Sequence, residues 1–424
     1  MKSMAYVLPF DFCISPEKGK DRYSIKEENL MNKFLARANE LMEEMVADRR
    51  HFHRYPETTN ELPMTVKYIK EKLVAMGYEP QDCGTMGIVA LAGGKKPGKC
   101  ILIRADMDAL PMPEETGLPF SSEHPGKMHA CGHDFHMSMM LAACKMLKEF
   151  EDEIEGTVKI CFQPNEETFG GAKDMIEHGV LENPKVDSAL AIHIGPFGEP
   201  GELTYGKGPN MGSADGFDIT VKGKGCHGAA PHSGISPINI GVHIYLALQE
   251  LLAREINAAE QCTLTMGTMI FGDGATNVIP EIGHMRGTMR GFNKELTKFM
   301  VKRTEEIVEG TAKLFGGEAS VEWLFSAPPM DCDPEFTDEV VKYAAEVVGA
   351  ERMIPKKVRS TGSEDFSYFG DEVPAQIFWL GGGYEDVTKR ISNHNPKVLY
   401  SEAALPYGAA TYVHCALEWL KNHK

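Results

Sequence analysis

The sequence predicts an α/β fold in which a catalytic domain on a largely parallel sheet is interrupted by a ferredoxin-like β-α-β-β-α-β insertion. Three observations carry this. Strand-like runs alternate with helix-like segments up to about residue 212, an order that gives a sheet covered on both faces. From about 213 the order becomes strand, long helix, two strands, helix, strand, which is the split βαβ unit. After Pro328 and Pro329 helix, strand and helix return, so the last stretch completes the first domain. The division is an N-terminal extension over 1–23, a discontinuous catalytic domain over 24–212 and 326–424, and an inserted domain over 213–325.

In chain order, Ser24 and Glu27 have capping-box spacing, and Leu30, Phe34, Ala38, Leu41, Met45 and Phe52 follow on one helical face. Val66, Ile69, Leu73 and Met76 predict a helix over about 63–76, with Gly77 as its stop. "GIVALAG" and "KCILIRADMD" read as strands, the Met- and Leu-rich segment after His133 as a helix, and "GTVKICFQP" as a strand. A helix around "GGAKDMIEHG" and the strand "SALAIHI" follow. In the insertion, "DGFDITVKGKG", "CTLTMGTMIFG", "GHMRGTMRGF" and "EASVEWLF" are strands, with helices over about 236–257 and 293–315. "AQIFWLGGG" is the clearest strand of the final stretch.

Composition limits the functions available. A chain of 424 residues, 42% hydrophobic and 25% charged, has ample material for a core. A formal charge of -17 argues against nucleic acid or an anionic membrane surface as a partner, since phosphate is bound by basic patches. No run approaches the roughly 20 apolar residues of a membrane span. Ten cysteines without a C-x-x-C pair, several inside apolar runs, fit reduced thiols in a cytoplasmic protein. The apolar patch of the first twenty residues is interrupted by Pro9 and Asp11 and is too short for a signal sequence.

The chemistry gathers in "KMHACGHDFHMS", where His129, Cys131, His133 and His136 crowd together. Cys131 and His133 face the same way on an extended segment, whereas on a helix they diverge by about 200°. Thiolate and imidazole suit borderline-soft divalent metals, with Asp134, His129 or His136 as supporting partners. A lone C-x-H more often caps or packs a helix start than holds an ion. More acids and histidines stand where parallel strands end: Asp106 and Asp108, Glu166 and Glu167, His193, and His394. Adjacent acids repel unless a cation lies nearby or one is protonated, so one of the glutamates can ligate while the other serves as a base. In the insertion, His227, His232, Asn277 and Arg290 lie in glycine-rich turns; an Arg suits a carboxylate and an imidazole or amide can donate to an oxyanion.

Taken together, "RADMDALP", "MHACGHD", "PNEE", "HGAAPH", "TNVIPE", "GSEDFSYF" and "HNP" resemble the M20 metallopeptidase family, in its amidohydrolase branch of N-acyl-amino-acid deacylases, hippurate hydrolases and indoleacetyl-amino-acid hydrolases. The resemblance runs from "RRHFHRYPE" to the last helix. It implies a zinc-peptidase-like catalytic domain and an insertion that is a lid and a homodimer interface. It implies two divalent metal ions (Zn, Mn, Co or Ni) on Cys131, His133, Glu167, His193 and His394, with Cys131 bridging. Glu166 matches the general base, Asp108 a supporting acid, and His227 an oxyanion donor that often reaches the neighbouring subunit's site. Asn277 and Arg290 match residues that hold the substrate carboxylate. The implied substrate is a small N-acyl amino acid or a dipeptide. The chain departs from the wider superfamily in having Asp106-x-Asp108 for His-x-Asp, Phe135 after "GHD", Cys226 before His227, and "HNPKVLY" near the end. Two rivals stand beside this reading: a cysteine hydrolase with Cys131 as nucleophile, and a non-catalytic metal-dependent binding protein.

Overall fold

The computed structural model describes residues 32–424. The extension 1–23 and the Ser24–Glu27 capping pair lie outside the described residues. The first helical stretch forms two helices, Lys33–Glu40 and Met42–Arg54, where the sequence predicts one. At the junction the Leu41 N–H is shared between the carbonyls of Arg37 and Ala38 at 3.2 and 3.1 Å, a local tightening that keeps Leu41, Met45 and Phe52 in the core. Helix Pro63–Ala75 starts on a proline, and the Glu57 carboxylate accepts the free N–H groups of Met64 and Thr65.

The main sheet has eight strands, ordered Gln81–Cys83, Gly87–Gly93, Thr157–Gln163, Cys100–Asp106, Ser188–Gly195, Ala375–Gly381, Leu203–Tyr205 and Met353–Pro355. The four strands in its middle are mutually parallel, and the flanking strands Gly87–Gly93 and Leu203–Tyr205 pair with them antiparallel. Cys100–Asp106 and Thr157–Gln163 are buried along their whole length, as expected of strands covered on both faces. Alternate side chains serve opposite layers. Ile101 and Ile103 join a large core with helices His133–Glu149, Pro334–Val348 and Leu405–Asn422, while Leu102 joins a smaller core with Gly171–Glu177 and Ser367–Glu372.

A second sheet holds Cys262–Phe271, Ile282–Gly291, Ala214–Lys222 and Glu318–Ala327 in that spatial order, all antiparallel. Relative to chain order this is 2-3-1-4, the ferredoxin-like arrangement. Helices Pro237–Glu250 and Lys294–Leu314 supply Ile240, Ile244, Leu248, Met300 and Val308 to a core shared with Phe217, Ile219, Met285 and Met289. The first of these helices ends sooner than its apolar pattern predicts and passes through one wider turn, Leu251–Glu255.

The chemistry of the molecule is set by where two central strands part. Cys100–Asp106 and Ser188–Gly195 pair as far as Arg104 opposite Ala191 and then separate. The chain leaves Cys100–Asp106 toward Thr157–Gln163 on one side, and Ser188–Gly195 pairs with Ala375–Gly381 on the other, so a crevice opens at the C-terminal ends. Backbone groups freed by the parting are claimed by side chains. The fully buried Tyr412 hydroxyl donates to Arg104 O at 2.7 Å and accepts from Ile192 N at 2.9 Å. His136 Nε2 accepts the Ile194 N–H at 2.8 Å. Tyr412→Phe leaves a buried carbonyl and a buried N–H without this partner, and is expected to cost about 1–3 kcal/mol in chemical denaturation; an unchanged denaturation midpoint would show the hydroxyl to be dispensable.

Candidate active site

Four chain segments converge on the crevice. The first is the loop after Thr157–Gln163, in which Asn165 and Phe169 adopt φ of 57° and 61°, and the N–H groups of Gly170 and Gly171 return to Asn165 O at 3.2 and 3.1 Å. A Cβ at Gly171 would lie 1.6 Å from Pro164 O, so this turn requires glycine. Asp108, two residues past the end of the neighbouring strand Cys100–Asp106, accepts the backbone N–H groups of Glu166 and Glu167 at 2.8 and 3.1 Å. Adjacent glutamates are thereby held with both carboxylates near the His133 ring, 3.9 and 4.0 Å from its Nε2.

The second segment is Cys131–His133. Gly132 stands at φ 94°, and a Cβ there would meet Ile194 Cγ2 at 2.2 Å. That left-handed turn lets Cys131 and the helix-starting His133 address the same space. His133 Nδ1 donates to Asp108 O at 2.7 Å, which leaves Nε2 with its lone pair toward the acids. In the third segment, His193 Nδ1 donates to Ile194 O at 2.6 Å, and its ring stacks on Trp379 with centroids 4.3 Å apart. Its Nε2 lies 3.4 Å from Cys131 Sγ. His394, at φ 57° on the loop "SNHNP", completes the group from the other side, its Nε2 3.3 Å from Cys131 Sγ and 3.4 Å from Glu167 Oε2.

These donors fit divalent cations. Cys131, His133 and His193 form one set with ligand atoms within 4.8 Å of one another, and Cys131, Glu167 and His394 form another, so the two sets share the thiol. His133 Nε2 and Glu167 Oε1 are buried without a hydrogen-bond partner among the described residues, an arrangement that costs free energy unless something else meets those lone pairs. Charge points the same way. Burial and the carboxylates of Glu167, Glu166 and Asp106 push the Cys131 thiol well up, and burial with Glu364, Glu167 and Asp365 does the same to Glu166. Burial pushes Asp108 up to about 7. Burial also holds His193 well below the usual range, as the neutral imidazole a metal requires. A cysteine nucleophile is activated by positive surroundings, and the neighbours of Cys131 are the reverse.

Several residues that order this centre are not among the sequence-predicted ones. Arg104 is buried and gives Nη1 to Asp106 at 2.6 Å, Nη2 to Glu364 and Asp365 at 2.8 and 3.1 Å, and Nε to Gln163 at 2.8 Å. The signal available was charge inside an apolar strand, in "CILIRAD". Asp106 is therefore occupied by Arg104 and by His136 Nδ1, which donates to it. Asp134 supports the helix start from behind, accepting from Arg49 at 2.9 Å and His53 at 2.8 Å. His129 is buried with neither ring nitrogen hydrogen-bonded among the described residues, and burial pushes it down to about 3.

A cavity of about 650 Å³ opens over the cluster, walled by Cys131, Glu166, Glu167, His193 and His394. The insertion residues are elsewhere. His227 is exposed on a short ribbon with Val278–Ile279, its Nδ1 accepting from Ala229 N at 3.0 Å. Asn277 is exposed beside it, and its carbonyl accepts the Gly228 N–H at 2.7 Å. Arg290 is half-buried, donating to Thr288 Oγ1 and to Met289 O. None of the three borders the cavity.

The sequence and fold have clear relatives. The profile of peptidase family M20/M25/M40 matches residues 102–418. An N-acetyl-L-cysteine deacetylase of Bacillus subtilis is 35% identical over 365 residues, 86% of this chain and 85% of the relative. Thermostable carboxypeptidase 1 of Saccharolobus solfataricus is 34% identical over 396 residues, 92% of this chain and 99% of the relative. Among solved structures, a Bacillus subtilis dinuclear metal-binding peptidase of the M20 family superposes with a TM-score of 0.74 at 29% identity, covering 90% of this chain and 99% of the other. With a profile match over most of its length and relatives aligned nearly end to end, the chain belongs to peptidase family M20/M25/M40.

Proposed function

We propose that the protein hydrolyses the amide bond of N-acyl amino acids, giving a carboxylate and a free amino acid, with two divalent cations held by Cys131, His133, Glu167, His193 and His394. The observation that carries this reading is the pair of donor sets sharing Cys131, with Glu166 beside them in one cavity. The deacetylase relative supports the acyl substrate; the carboxypeptidase relative supports peptide hydrolysis by the same chemistry as a second reading. When bound, divalent cations supply a readily deprotonated water and polarise the scissile carbonyl. Glu166 takes the proton of the attacking water at its carboxylate. Its carboxylate lies beside His133 in the same cavity, placed to return that proton to the departing amine nitrogen. Asp108 is a positioning residue, fixing the backbone of both glutamates and, through its carbonyl, the tautomer of His133.

In this reading the insertion 213–325 is a lid over the catalytic domain 24–212 and 326–424. His227 donates to the oxyanion, and Asn277 and Arg290 hold the substrate carboxylate, supplied by closure or from a second copy. A homodimer through the lid is supported by apolar residues exposed on it: Ile238, Val242, Tyr245 and Leu246 on the helix Pro237–Glu250, and Ile270 on a neighbouring strand.

Glu166→Gln is expected to retain metal and substrate binding and to lose at least about 10²-fold in kcat; near-normal turnover would remove Glu166 from the base role. A chelator should silence the enzyme, and Zn, Mn, Co or Ni should restore it, assayed on N-acetyl and aromatic N-acyl amino acids beside dipeptides. Activity that survives full removal of metal would favour a Cys131 nucleophile. Because both donor sets use its thiol, Cys131→Ala should lower bound metal at both positions by elemental analysis; full retention of two ions would refute the shared role.

A further inference from the structure

The cavity wall includes His193 and Trp379 and carries Lys356, the one ammonium or guanidinium among the described residues that line it. Lys356 directly follows the edge strand Met353–Pro355, and its N–H donates to Tyr205 O at 2.7 Å, so its backbone is fixed by the sheet. Its Nζ has one protein acceptor, the Asn210 carbonyl at 3.5 Å, which is the limit of a hydrogen bond, and no ion pair among the described residues. Glu202 lines the same cavity but turns its carboxylate to the Glu199 N–H at 2.9 Å. The Nζ stands 5.9 Å from the Trp379 ring, which is stacked 4.3 Å from His193, and these two separations bound the ammonium to within about 10 Å of that imidazole. The Trp379 indole N–H is buried and has no acceptor among the described residues. Burial holds the Lys356 ammonium below the usual lysine range with no carboxylate to offset it.

A half-buried ammonium on a cavity wall, with no carboxylate in ion-pair distance among the described residues, is a site for an anion. We propose that Lys356 receives a second substrate carboxylate, several bonds from the scissile carbonyl, and that it sets a preference for acidic over neutral substrates. The proposal rests on the N-acyl amino acid reading. It names a substrate class that carries one carboxylate more than the simple N-acyl amino acid, located on the acyl group or on the amino-acid side chain.

The test uses the full-length, metal-loaded enzyme and two matched pairs. N-succinyl-L-alanine against its succinamoyl analogue probes an acyl-borne carboxylate, and N-acetyl-L-glutamate against N-acetyl-L-glutamine probes a side-chain one. In at least one pair the acidic member should have the higher kcat/KM by about tenfold or more, chiefly through KM, as a charge-assisted hydrogen bond allows. Lys356→Gln should collapse that ratio toward one, and Lys356→Arg should restore most of it. Equilibrium binding of the matching free product, succinate or glutamate, should weaken by a similar factor in Lys356→Gln. Acidic-to-neutral ratios near one in both pairs, or a ratio that survives Lys356→Gln, would overturn the proposal while leaving the hydrolase reading intact. Failure to hydrolyse any of the four compounds, together with product binding indifferent to Lys356, would overturn the proposal, and failure on aromatic N-acyl amino acids as well would overturn the N-acyl amino acid reading on which it rests.

Discussion

The centre is organised by more acidic groups than the basic side chains among the described residues pair with. Asp106, Asp108, Glu166, Glu167, Glu364 and Asp365 gather with the Cys131 thiol, and the guanidinium buried among them is that of Arg104. Arg104 settles only part of the cluster, since its donors go to Asp106, Glu364, Asp365 and Gln163. Glu166, Glu167 and Cys131 are left facing one another and the imidazoles of His133, His193 and His394, in surroundings where a lone carboxylate costs several kcal/mol. Divalent cations are the ordinary remedy for such a site, and the unpartnered lone pairs of His133 and Glu167 lie where they would be met.

That charge is tolerated because the fold provides a crevice with rigid walls. Beyond Arg104 and Ala191 the two central strands stop pairing, which would strand backbone groups in the interior were it not for Tyr412 and His136. His136 serves twice: its Nε2 accepts from the backbone of Ile194, so its Nδ1 must carry the proton that goes to Asp106. Asp108 works in the same way, with its carboxylate on the Glu166–Glu167 backbone and its carbonyl on His133. The orientations of these side chains are thus consequences of how the sheet finishes its hydrogen bonding.

Much of this was legible in the sequence, for identifiable reasons. Strands such as "GIVALAG" and "SALAIHI" announce themselves because burial on both faces demands unbroken apolar runs, and the acids and histidines at their ends mark the rim. Arg104, Glu364 and Asp365 were not recognised as a unit, because an ion cluster joining positions 260 residues apart leaves no periodic trace. Lys356 was invisible for a related reason: its neighbours in sequence are exposed, and only the packing of Trp379 and the edge strand turns it toward the cavity. The division of the first helix at Leu41 is a matter of one shared N–H, below the resolution of any apolar pattern.

The insertion has its own core, yet its root is tied to the cavity wall. Gly212 N donates to the carbonyls of Ser360 and Gly362 at 3.0 and 3.1 Å, and Ser363 Oγ donates to Ser213 O at 3.0 Å. Ser360, Gly362 and Ser363 line the cavity and lead directly into Glu364 and Asp365, the acids held by Arg104. On the opposite side Phe169, two residues after Glu167, packs against Phe325 of the insertion with ring centroids 5.6 Å apart. A rotation of the insertion about this root must either break these contacts or carry the two loops with it. Both loops bear on the carboxylates of the centre, so any rotation of the insertion would be mechanically joined to the placement of Glu166, and one that left these contacts intact would need its hinge farther along the chain, beyond Ser213 and before Phe325.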